Sequence, residues 1–150
     1  MRQIELRRHA KRDPNRDALS PAGRAQAEDV GRESARGYDA VFVSPAERAA
    51  ETAAWIVRGS GRQLPEHGVI PGLAGKDETG GSAEGMAVGV RALLASVPEG
   101  AVGLAVSHTP FVERAMTGLT GRDPKPFAEC EGIRVTMQDD GSLDVEEIRL

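Results

Sequence analysis

Three short apolar runs, each followed by a helix-start signal, constrain the chain more than any other feature. Gln3-Ile4-Glu5-Leu6 alternates as a strand does and empties into a charged loop that ends at Leu19-Ser20-Pro21. Ala40-Val41-Phe42-Val43 is continuously apolar, as suits a strand covered on both faces, and runs directly into Ser44-Pro45-Ala46-Glu47. Ala101 to Val106 is a third run of that kind and meets Ser107-His108-Thr109-Pro110. Serine before proline supplies a cap and a pre-set first helical residue, and Glu47 completes the pattern of a capping box. Helices are therefore expected from Ala22 to Arg36, from the Ser44 cap toward Arg58, and from about Phe111 to Leu119. Strands alternating with helices predict a mostly parallel sheet wound by right-handed crossovers, with helices on both faces.

The remaining segments fit that frame. Gly68-Val69-Ile70 reads as a short strand, Gly72 to Gly85 as a glycine-rich loop, and Gly85 to Val97 as a helix with Val90, Leu93, Leu94 and Val97 on one face. Ile133 to Met137 and Leu143 to Val145 flank Asp140-Gly141, a strong hairpin signal, so an antiparallel C-terminal edge is expected, with a bulge where alternation slips at Glu146-Glu147. The expected architecture is an α/β three-layer sandwich, and 150 residues suit a single domain over 1–150.

Composition removes several classes of function. Nineteen basic against 23 acidic residues give a charge of −4, and only five aromatics are present, so neither a basic field nor a stacking groove for nucleic acid exists. One cysteine, Cys130, and three scattered histidines argue against a disulfide scaffold or a structural metal site. No apolar run reaches membrane-spanning length and the first residues carry no signal-peptide pattern, so a cytoplasmic protein without membrane attachment is expected.

Ligands of parallel α/β sheets gather outside the carboxyl ends of the strands. Those ends carry Arg8 with His9, Ser44 with Arg48 a turn into the next helix, and Ser107 with His108. Taken singly, each histidine reads as a loop residue, Arg48 as a solvated helix charge, Ser44 as a helix cap and Ser107 as a turn residue. Together, guanidinium forks and free helix N–H groups make an anion site, and a neutral imidazole there can attack phosphorus. Arg7, Arg8, Lys11, Arg12 and Arg16 add local positive charge on the first loop. Cys130 is a poor rival nucleophile, because Glu129 and Glu131 oppose thiolate formation.

At these residues the chain resembles the histidine phosphatase (phosphoglycerate mutase-like) superfamily. Leu6-Arg7-Arg8-His9-Ala10 is similar to the family's Arg-His-Gly signature with alanine for glycine. Asn15, the block Leu19 to Ala27, the block Ser44 to Ala53, and Val106-Ser107-His108 follow in the family's order. The resemblance implies that His9 is the phosphorylated nucleophile, that Arg8, Arg48 and His108 enclose the phosphoryl group with Asn15 assisting, and that no metal or other cofactor is needed. It also implies an acid after the third strand, where this chain carries Gly72, with Asp77, Glu78 and Glu84 as the nearest carboxylates.

That gap bears on the substrate, since an imidazole leaves with less help than an alkoxide. The short chain and the missing acid resemble the small bacterial SixA-type phosphohistidine phosphatases. The expected activity is a metal-independent phosphatase acting on protein phosphohistidine. The alternatives are a small-molecule phosphomonoesterase or mutase, and a catalytically silent phosphate-binding module; the partner is thus a phosphorylated protein or a small phosphate ester.

Overall fold

The computed structural model describes residues 1–34, 36–76 and 80–150. Six strands form one sheet: β1 (Arg2–Arg8), β2 (Ala40–Val43), β3 (His67–Val69), β4 (Val102–Ser107), β5 (Gly132–Met137) and β6 (Leu143–Ile148). Their order is β3-β2-β4-β1-β5-β6, parallel from β3 to β1 and antiparallel from β1 to β6. Four helices cover it: α1 (Pro21–Arg32), α2 (Glu47–Gly59), α3 (Ala83–Ser96) and α4 (Phe111–Thr120). A 3-10 turn, Pro71–Ala74, follows β3.

Strand alternation sorts the apolar side chains into two cores. Val41, Val43, Leu104 and Val106 pack against α1 and α2. Ile4, Leu6, Ala105, Ile133 and Val135 pack against α3 and α4. The helices thus lie on both faces, as the sequence pattern requires. On the α1 face, β1 also buries a carboxylate. Glu5 accepts from Tyr38 Oη at 2.7 Å, Arg7 Nε at 3.0 Å and Arg134 Nη2 at 3.1 Å. Burial opposes the charge of Glu5, but these partners outweigh it and hold its carboxyl below the usual range.

Helices α1 and α2 touch backbone to backbone. A Cβ on Gly31 would stand 1.8 Å from the Ile56 carbonyl oxygen, and one on Gly59 would stand 2.0 Å from that of Glu28. Close approach requires glycine at both positions.

Several boundaries depart from the sequence reading. Helix α1 stops at Arg32 instead of Arg36, because Ser34 N–H donates to Gly31 O at 3.0 Å and the chain reverses at Gly37 with φ +74°. The stretch read as a loop from Gly72 holds the 3-10 turn, and α3 begins at Ala83, capped by Ser82. No bulge interrupts β6: Glu146 stays in register opposite Arg134 and forms an ion pair with it at 3.6 Å, which accommodates a charge where alternation had failed. Arg7 is buried against Glu5 and the Cys130 carbonyl, so it adds nothing to the basic loop.

Candidate active site

The first loop is built as a brace. Arg12 and Leu19 form an antiparallel bridge, Ser20 N–H donates to Lys11 O at 3.0 Å, and Ser20 Oγ accepts from Gly23 N–H at 3.1 Å as the cap of α1. Leu19 N–H reaches Glu51 Oε1 on α2 at 2.7 Å. These contacts present Asp17 to the N-terminus of α2. Its carboxylate accepts from Glu47 N–H at 3.0 Å, Arg48 N–H at 3.1 Å and Arg48 Nη1 at 2.9 Å.

Asp17 therefore does the capping that sequence reasoning gave to Ser44. The N-cap position is Ala46, without a side-chain bond, and the expected capping box does not form. Ser44 Oγ instead lies 2.6 Å from His108 Nε2, with a weak contact from Ala46 N–H at 3.3 Å. A second fastener comes from Thr52, whose hydroxyl donates to Arg48 O at 2.7 Å and accepts Ala10 N–H at 3.0 Å. Residue 10 is thereby bolted to the helix that carries Arg48.

His9, Arg48 and His108 converge, the two imidazole centroids 5.2 Å apart at 62°. The Arg48 guanidinium spans them: Nε lies 3.4 Å from His9 Nε2, and Nη2 lies 3.4 Å from His108 Nδ1. Hydrogen bonds assign the proton positions. His9 Nδ1–H donates to Ala10 O at 2.7 Å, which leaves Nε2 with a lone pair toward Arg48. His108 accepts from Arg48 at Nδ1, so its Nε2–H donates to Ser44 Oγ.

Both rings are held uncharged. Burial pushes His108 down to about 4, with Arg48 and His9 adding to the effect. Burial also lowers His9; the Ala10 carbonyl opposes this, while Arg48, Arg8 and Arg12 reinforce it. Asp17 moves the other way from burial's effect: desolvation would raise it, but the two backbone N–H groups and the Arg48 guanidinium hold it low. An ionised carboxylate with its oxygens so engaged is a clamp.

An open cavity of about 490 Å³ is lined by Asp17, Ala46, Arg48, Lys76, His108 and Phe111 among others. Arg8 sits beside this group, its Nη1 donating to Phe127 O at 2.9 Å and its Nε buried without a partner among the described residues. Asn15 is exposed, its described hydrogen bond being backbone N–H to Asp13 Oδ1 at 2.8 Å, and no contact brings it to the histidines among the described residues. Glu84 is exposed in the first turn of α3, and Asp77 and Glu78 lie outside the described residues. Ser107 belongs to β4 and bonds Leu73 O, which ties the 3-10 turn to the sheet. Burial pushes the Cys130 thiol up to about 12, in keeping with a structural residue. Among the described residues no three His, Cys, Asp or Glu side chains gather as metal ligands, and no helix is long and apolar enough to cross a membrane.

The site lies at the carboxyl ends of β1, β2 and β4, and comparison with known proteins shows what this fold resembles. The sequence profile of the histidine phosphatase superfamily (branch 1) matches residues 4–74. Over those residues the chain is similar to that superfamily, and its whole fold is similar to solved structures. The protein histidine phosphatase SixA in complex with tungstate has 23% identity and a TM-score of 0.75, over 98% of this chain and 96% of the other. Phosphoserine phosphatase from Entamoeba histolytica, bound to 3-phosphoglyceric acid, has 17% identity and a TM-score of 0.78, over 100% and 98%. Phosphoglycerate mutase from Bacillus anthracis has 15% identity and a TM-score of 0.74, over 97% and 92%. No curated protein matches the chain by sequence.

Proposed function

We propose that the chain is a metal-independent phosphatase that works through a phosphohistidine at His9 and that its substrate is a protein-borne phosphohistidine. The observation that carries the reading is the guanidinium of Arg48 set between two neutral imidazoles, with the His9 Nε2 lone pair facing it. Nε2 attacks phosphorus as the leaving group departs on the opposite side, and water then displaces His9 from the phosphoryl group. Arg48, Arg8 and His108 supply the hydrogen bonds that stabilise charge on the equatorial oxygens.

The substrate follows from what protonates the leaving group. Among the described residues that line the cavity, Asp17 is the carboxylate, and it is ionised and occupied by Arg48 and the α2 backbone. An imidazole departs without a strong acid, whereas an alkoxide needs one. The open mouth and the exposed Lys11, Arg12 and Arg16 suit an acidic phosphoprotein surface. The relatives in fold that act on phosphoserine and phosphoglycerate favour a second reading, a small-molecule phosphomonoesterase or mutase. A silent phosphate-binding module is the third.

The test is to mix the protein with a ³²P-phosphohistidine phosphotransfer domain, quench in alkali, and map the label, with a panel of sugar phosphates and phosphoserine assayed alongside. An acid-labile, base-stable adduct on His9, and a higher kcat/KM for the phosphoprotein, are expected. Preferential turnover of the small esters establishes the second reading, and binding without any hydrolysis establishes the third.

A further inference from the structure

We infer that Ser44 is a positioning residue that lets the neutral His108 ring exchange the nitrogen carrying its proton, so that the ring can accept from Arg48 and, once a phosphoryl group binds, donate to its oxygen. This rests on the proposed phosphoryl site. The two ring nitrogens have unequal access: Nε2 is closed off by the buried Ser44 hydroxyl at 2.6 Å, and Nδ1 faces Arg48 at the cavity. Any hydrogen bond from His108 to an incoming phosphoryl group must therefore leave from Nδ1.

In the structure Nδ1 carries no proton, because it accepts from the Arg48 guanidinium. A phosphoryl oxygen offers only lone pairs and draws Arg48 to itself. The contact becomes favourable once Nδ1 bears the proton. Without a bound anion, burial and the neighbouring Arg48 both oppose a second proton on His108. A route that keeps the ring neutral releases the Nε2 proton to solvent and takes a solvent proton at Nδ1, so the charge of the ring is unchanged. Nε2 is then an acceptor and needs a donor. A hydroxyl can serve as acceptor or donor by turning about its C–O bond, which neither a carbonyl nor a carboxylate can do. Ser44 is the group in contact with Nε2, and its use there explains why it left the capping of α2 to Asp17.

The test is a ¹⁵N–¹H correlation spectrum of histidine-labelled full-length protein, titrated with inorganic phosphate and then orthovanadate. The free protein should show His108 protonated at Nε2, and the loaded protein should show it protonated at Nδ1 with both forms neutral. A loaded His108 that stays protonated at Nε2, or that carries protons on both nitrogens, overturns the inference while leaving the phosphoryl site standing. Saturating anion that moves the signals of neither His9 nor His108 overturns the inference and the site together. In turnover, Ser44→Ala should lower kcat about tenfold at nearly constant KM, the size of one buried hydrogen bond lost from the transition state, and Ser44→Thr should recover most of it. An Ser44→Ala enzyme with unchanged kcat counts against the role, and the spectrum of the unmutated protein decides the matter even where a variant fails to fold.

Discussion

The strand ends of this sheet are unequally furnished. At the ends of β1, β2 and β4, the site is braced by named partners: Thr52 fastens residue 10, Asp17 holds Arg48, and Ser44 holds His108. At the end of β3 the chain makes a 3-10 turn through Pro71–Ala74, and the described residue it adds to the cavity beyond that turn is the cation Lys76. One side gathers two imidazoles and a guanidinium, and among the described residues the other adds no carboxylate to the cavity lining. Under the proposed reading, the contrast separates the groups that bind the phosphoryl unit from any that would protonate its leaving group.

The sharpest way to break the contrast is at the gripping side. Arg48→Ala should reduce kcat/KM toward phosphohistidine protein by roughly 100- to 1,000-fold, corresponding to about 2.7–4 kcal/mol of lost transition-state stabilisation; steady-state kinetics with folding checked by circular dichroism measures it. A loss below tenfold would show that Arg48 is a surface charge. Next in size is Asp17→Ala, which removes both the cap of α2 and the Arg48 anchor. About 1 kcal/mol of stability should be lost with the cap, read in urea unfolding, and kcat should fall less than for Arg48→Ala. The smallest effect belongs to the other side: Glu84→Gln should change kcat by less than about twofold, because a carboxylate exposed at a helix start is solvated. A large loss there would give the β3 side an acid after all.

The fold was legible in the sequence because its signals are local. Apolar runs of strand length, Ser-Pro starts, and Asp140-Gly141 each act within a few residues, and Gly141 adopts φ +86° at the hairpin as that pair requires. His9, Arg48 and His108 could be read from the rule that parallel strands deliver their ends to one place. Ser44 was misread because a capping box is a local pattern, while its actual partner lies 64 residues away. Asp17 was missed because it sits in a polar loop without periodicity. The available signal was a loop carboxylate with no neighbour of its own, next to a helix whose nominal cap has a competing use. Arg7 was assigned to the basic loop because adjacent arginines look alike in sequence, and only strand alternation sends one inward to Glu5 and the other toward Phe127.

The paired glycines between α1 and α2 have a consequence for how such a protein can diverge. With no side chain at either crossing point, the two helices move as one plank, and Arg48 rides near its far end. A methyl group inserted at the crossing would tilt that plank and carry the guanidinium away from the rings.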